Sequence, residues 1–158
     1  ARAELICDLA QMPMRLRDTL GALSRELSIA PGPNGMFSPV EQVWHLADLE
    51  VEGFGVRIER LLNESKPELP DFDGTAIARE RRYSSLSIAR GLDVFEAARR
   101  ANIERLRTVP ESAWGRSGVQ VGVGDVSLCD MPVFLRQHDL AHLEEIKQWR
   151  QSLEGRVV

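Results

Sequence analysis

An all-α fold, an up-and-down style four-helix bundle with long connections, is what this sequence predicts, on three observations. Four long stretches repeat apolar residues at three-and-four spacing, the signature of helices that each bury one face. Clusters of proline and glycine separate them. The chain has 158 residues, 43% hydrophobic and 28% charged, a length and composition that suit one globular domain over 1–158. No repeat or low-complexity tract argues otherwise.

The first helix is expected over residues 3–28, where Leu5, Leu9, Met12, Leu16, Leu20, Leu23 and Leu27 make the stripe. Pro13 removes one backbone hydrogen bond there, so it kinks this helix or begins a new segment. Ala30-Pro31-Gly32-Pro33-Asn34-Gly35 ends it in a turn-rich loop. In Phe37-Ser38-Pro39-Val40-Glu41, Ser38 is an N-cap, Pro39 takes the first helical position and Glu41 completes a capping box. That second helix runs to about Asn63. Residues 64–83 form a long connection with a short helix from Ala76 to Arg82, and connections of this length are often functional. The third helix runs from Ser84 or Ser85 to about Thr108. Arg99 and Asn102 interrupt its apolar stripe, and Arg99 is expected to pair with an acid or snorkel.

Residues 118–128 alternate valine with glycine, a short extended or hairpin excursion turning at Gly124-Asp125. A two-stranded ribbon is marginal alone and must lean on the helices. The last helix starts near Asp130-Met131-Pro132 and reaches about Leu153, with Leu135, His138, His142, Ile146 and Trp149 on one face.

A formal charge of -4 argues against a nucleic-acid binder. The basic run Arg79-Glu80-Arg81-Arg82 is short and broken by an acid, and reads as a solvated segment. Cys7 and Cys129 lack a pairing motif, which suits a reducing compartment, and both are expected as small buried hydrophobes. No stretch is apolar enough to span a membrane and no signal-peptide pattern opens the chain, so a cytoplasmic location is expected.

The chemistry of the sequence gathers on its three histidines. His138 and His142 are four residues apart, so a helix places both imidazoles on one face, one turn apart. His45 stands near the first turns of the second helix. Neutral imidazole is a strong ligand for zinc, nickel, iron or copper, and three histidines leave positions open for water or substrate. Facing helices of a bundle commonly build such sites. Histidines on an inner face also serve as hydrogen-bonded core residues, and spacing alone leaves both readings open.

The sequence resembles the DinB-like, YfiT-type four-helix metalloproteins. The resemblance rests on Phe37-Ser38-Pro39-Val40-Glu41-Gln42-Val43-Trp44-His45-Leu46-Ala47-Asp48, on Arg99 and its surroundings, and on His138-Asp139-Leu140-Ala141-His142. It covers nearly the whole chain and implies His45, His138 and His142 as ligands of a divalent ion such as zinc, nickel or iron. It further implies a thiol transferase, isomerase or hydrolase-like enzyme. Its cosubstrate would be a low-molecular-weight thiol such as bacillithiol, mycothiol or glutathione, which the cation would hold as the reactive thiolate. A homodimer is compatible with this. Fold likeness does not settle a reaction, and a second class stands beside the enzyme: a non-catalytic bundle that dimerises or senses a small ligand, with its histidines merely buried.

No residue is a clear general base, so the catalytic group is unknown. Glu41 and Glu52 flank His45, although Glu41 is expected to cap its helix. Asp139 or Glu145 could orient an imidazole, and Asp139 could equally face solvent. Asp71 and Asp73 reach the mouth of the site or make turns. Cys129 is expected to be structural rather than a ligand.

Overall fold

The computed structural model describes residues 1–155 and arranges the predicted helices as a bundle. The first expected helix is three. α1 spans Arg2–Leu9, α2 spans Met12–Leu20 and α3 spans Arg25–Ser28. Pro13 begins a new segment, since it occupies the first turn of α2, where its missing N–H has no intrahelical partner to lose. Ser24 starts α3 by accepting from the Leu27 N–H at 3.2 Å.

The second expected helix is continuous in path but not in pitch. α4 covers Pro39–Asp48, a wide π-helical stretch covers Leu49–Gly55, and α5 covers Val56–Asn63. The capping box at Ser38 and Glu41 is formed, with the Ser38 N–H donating to Glu41 Oε1 at 3.1 Å. π-stretches are uncommon and concentrate at functional sites. Within this one Glu50 faces inward, four residues after Leu46, and Asn102 donates to its carbonyl at 2.9 Å and to its carboxylate at 3.0 Å.

The long connection holds α6, Gly74–Glu80, and a two-residue strand β1, Glu68–Leu69. α7 is Ile88–Arg107, and α8 is Asp130–Glu154. Between them β2, Ser117–Gln120, and β3, Gly124–Ser127, pair antiparallel. The expected turn at Gly124-Asp125 is corrected: Gly124 and Asp125 belong to β3, and the loop is 121–123. Gly122 and Gly124 carry positive φ of 80° and 106° there, a conformation that favours glycine. β1 adds to β2 in parallel, with Leu69 opposite Gln120, so the ribbon becomes a three-stranded sheet in the order β1-β2-β3. Leu69, Val126 and Leu128 anchor it in the core.

Two apolar clusters fill the bundle. One contains Ile6, Leu9, Phe54, Ile103 and Leu135, and the other Met12, Leu16, Leu46, Phe95 and Ile146. Along three of the long helical segments a buried polar residue falls at the junction between them: Glu50 after Leu46, Arg99 between Phe95 and Ile103, Asp139 and His142 between Leu135 and Ile146. A polar layer therefore crosses the middle of the molecule. No helix among the described residues is long and apolar enough to cross a membrane. The expectation of buried cysteines is corrected, because Cys7 and Cys129 are both exposed. Each sits one position off the apolar stripe of its segment, beside buried Ile6 and Leu128.

Candidate metal centre

The polar layer brings the three histidines together. His45 projects from α4, while His138 and His142 project from successive turns of α8. The Nε2 of His138 lies 3.4 Å from that of His45 and 3.0 Å from that of His142. His45 and His142 are each 8% exposed, and His138 is half-buried. One potential ligand atom from each ring lies within 4.8 Å of the others.

This donor set fits a divalent cation. Ligand nitrogens about 2.0–2.1 Å from a tetrahedral ion stand roughly 3.3–3.4 Å apart, close to the spacing here. The tautomers point the same way. His142 Nδ1 meets Gln42 Oε1 at 2.6 Å, and Gln42 Nε2 donates to Glu145 Oε2 at 2.6 Å. A carboxylate accepts, so the Gln42 amide presents its carbonyl to the imidazole, Nδ1 carries the proton and Nε2 is left with its lone pair. His138 Nε2–H could satisfy that lone pair, but it then offers His45 no acceptor. A cation accepts all three lone pairs.

Electrostatics keep the rings neutral, the ligating form. Burial, followed by the charge of His142, lowers the His45 pKa to about 4. Burial lowers His142 to about 4. Burial, then the charges of His142, His45, Arg99 and Arg57, lowers His138 to about 2. The unfolded rings titrate near 6.5. In metal-free protein the unfolded chain thus binds more protons than the folded one below that pH, and stability falls as pH falls. Urea unfolding in chelator is expected to show stability complete above pH 6.5 and reduced by several kcal/mol towards pH 4, at about 1.4 kcal/mol for each tenfold loss of a ring's proton affinity on folding. A flat profile between pH 6.5 and 5 would contradict this.

α6 fixes His45 by close approach. Asp73 accepts from the Ala76 N–H at 3.0 Å to start this helix, and Gly74 follows it. A Cβ on Gly74 would stand 2.5 Å from His45 Cε1 and 2.6 Å from Nδ1. His45 Nδ1 is itself buried with no hydrogen-bond partner among the described residues. Gly74→Ala is therefore expected to displace the ring or lift α6, weakening metal binding about tenfold or more while the bundle still folds. Chelator competition would read it, and unchanged affinity would contradict it.

A cavity of about 330 Å³ opens on the centre, walled by Met36, Phe37, Gly74, Thr75, Glu145, His45 and His142. A larger one, about 730 Å³, lies between α1 and the start of α8 and touches none of the histidines.

Other expected residues fall in several places. Glu145 reaches His142 through Gln42, with its Oε2 3.5 Å from Nδ1. Glu41 caps α4. Glu52 pairs with Arg81 at 2.9 Å on the surface, and Arg81 also pairs with Asp48. Asp71 accepts its neighbour Phe72's N–H at 2.8 Å, a turn contact. Cys129 lies outside the histidine cluster. Asp139 neither faces solvent nor holds an imidazole: both its oxygens bind Arg99, at 2.7 and 2.8 Å. Arg99 spends its other donors on Glu50, at 2.8 and 3.0 Å, and on the Leu9 carbonyl at 2.9 Å. Burial alone would lower the Arg99 pKa, but Glu50 and Asp139 outweigh it and raise the value.

Sequence reading missed Gln42, Glu50 and Gly74. Gln42 was within reach of it, being three residues before His45 on the same helix face. Glu50 was also within reach, since it stands four residues after Leu46 and four before Phe54, in line with the buried face.

The family model of the DinB superfamily matches residues 8–146. No curated protein matches the chain. Among solved structures, the chain is similar to YfiT from Bacillus subtilis, a probable metal-dependent hydrolase with an unusual four-helix bundle topology. That likeness has a TM-score of 0.88 at 17% identity and covers 96% of this chain and 87% of the other, so it speaks to the fold. A four-helix bundle with this histidine cluster, matched by the family model over most of its length, belongs to the DinB superfamily.

Proposed function

We propose that this protein is a divalent-metal-dependent enzyme whose ligands are His45, His138 and His142. The convergence of three Nε2 atoms, from two helices, carries this reading. A bound ion would supply Lewis-acid polarisation and favour the deprotonated form of a thiol or water beside it. The chain's own residues do the rest. Gln42 and Glu145 orient His142, α6 holds His45, and Met36 and Phe37 give the cavity an apolar wall that limits water.

The family resemblance favours a low-molecular-weight thiol as cosubstrate, in S-transfer or isomerisation. Hydrolysis is the second reading, favoured by Glu145: Gln42 anchors one carboxylate oxygen, and the side chain lines the cavity where a water would be activated. The experiment is an activity screen of metal-loaded protein with several thiols and electrophiles, beside ester and amide substrates without thiol. Turnover that requires both metal and thiol is expected. Turnover without thiol selects the hydrolase. Protein that purifies metal-free, with unchanged thermal stability in chelator, contradicts the enzyme and supports a non-catalytic bundle.

A further inference from the structure

Two arginines are buried near the histidines, and the chain treats them in opposite ways. Arg99 is 1% exposed and places all five of its N–H donors on Glu50, Asp139 and the Leu9 carbonyl. Arg57 is 6% exposed, and its Nε is fully buried with no hydrogen-bond partner. Among the described residues no carboxylate comes within ion-pair distance of Arg57 and none of its donors makes a hydrogen bond. Its guanidinium carbon stands 5.4 Å from the centroid of the Phe54 ring. Stacking of that kind occupies one face of the fork and leaves its in-plane donors unused. Burial lowers its pKa, and Asp71 is the one acid whose charge opposes that. A buried cation left without a counter-charge is costly unless something else provides one.

Arg57 adjoins the metal centre. The Phe54 ring on which it stacks meets His138 edge-on, with 6.0 Å between centroids, and the charge of Arg57 acts on His138. Nearby, Phe72 packs beside His45 at 6.2 Å, and Asp71 precedes it in the strap that runs on from β1.

Resting on the metal-enzyme reading above, the geometry points to Arg57, stacked on the Phe54 ring that meets His138, as an anion subsite that receives a carboxylate of the substrate. Its planar fork matches a carboxylate with two parallel N–H bonds. The substrate is then an acidic molecule, held by its carboxylate at Arg57 and presenting its reacting group to the histidine centre.

The test is calorimetric titration of zinc-loaded protein with succinate, with succinamide as the neutral control and inorganic phosphate as a second anion. Succinate binding is expected, with succinamide silent and phosphate weaker. Arg57→Met should weaken succinate about 10- to 100-fold, the loss of a charge-assisted pair, while zinc content stays unchanged. Asp71→Asn keeps the guanidinium and removes the competing charge, so it should tighten succinate a few-fold, and it serves if Arg57→Met does not fold. Failure of the wild type to bind succinate overturns the proposal. So does equal binding by Arg57→Met or, where that variant does not fold, by Asp71→Asn. Phosphate binding tighter than succinate overturns the carboxylate assignment. Zinc content in the same samples separates the two readings: full zinc without anion binding overturns the subsite alone, and absence of zinc overturns the metal centre.

Discussion

His138→Ala is expected to lower divalent-metal affinity by more than about 100-fold, because loss of groups that merely support a ligand already costs 10- to 100-fold. His138 is the shared member of the cluster, with its Nε2 at 3.4 Å from one partner nitrogen and 3.0 Å from the other. Without it two imidazoles remain. His142→Ala should match this loss and also leave Gln42 Oε1 without the imidazole N–H that it now meets at 2.6 Å. Competition against a calibrated chelator reads both variants, and circular dichroism shows whether they still fold. If both keep full metal content, the histidines are not the ligands.

Arg99→Met is expected to destabilise the fold by about 3–5 kcal/mol, since breaking a buried ion pair leaves its partner charges stranded. Two carboxylates lose their counter-ion at once: Glu50 and Asp139, with side chains 2% and 8% exposed. For a chain of this size that is a fall in Tm of about 10 °C or more. The neighbouring Arg100 is the control. Its side chain is 77% exposed and pairs with Glu96 on the helix surface, so Arg100→Met should change stability by no more than about 0.5 kcal/mol. Adding Glu50→Gln and Asp139→Asn to Arg99→Met should recover part of the loss. A loss below about 1 kcal/mol for Arg99→Met alone would show that the polar layer does not hold the helices together.

Much of this layer was legible in the sequence because helical periodicity reports which face is inward. The spacing of His138 and His142, the capping box before His45 and the break of the α7 stripe at Arg99 all follow from it. What periodicity could not report was pitch. The π-stretch from Leu49 to Gly55 leaves no signature in the apolar spacing, whereas Glu50, four residues after Leu46, is inward by regular spacing and only its partner Arg99 was beyond reach. Nor could it report pairing across elements. Asp139 was as consistent with solvent as with an imidazole, and only the fold brings it to Arg99. The first helix was over-extended because its leucine stripe continues through Pro13, while the backbone breaks before it. The strand at Glu68–Leu69 has too few residues to carry a period, and the close approach of Gly74 to His45 depends on where a long connection lands.

X-ray absorption on the zinc-loaded protein tests the central claim most directly. Three imidazole nitrogens at about 2.0–2.1 Å from one zinc ion per chain are predicted, with that signal lost in His138→Ala. Absence of stoichiometric zinc, or a sulfur ligand at about 2.3 Å in place of an imidazole, would contradict it.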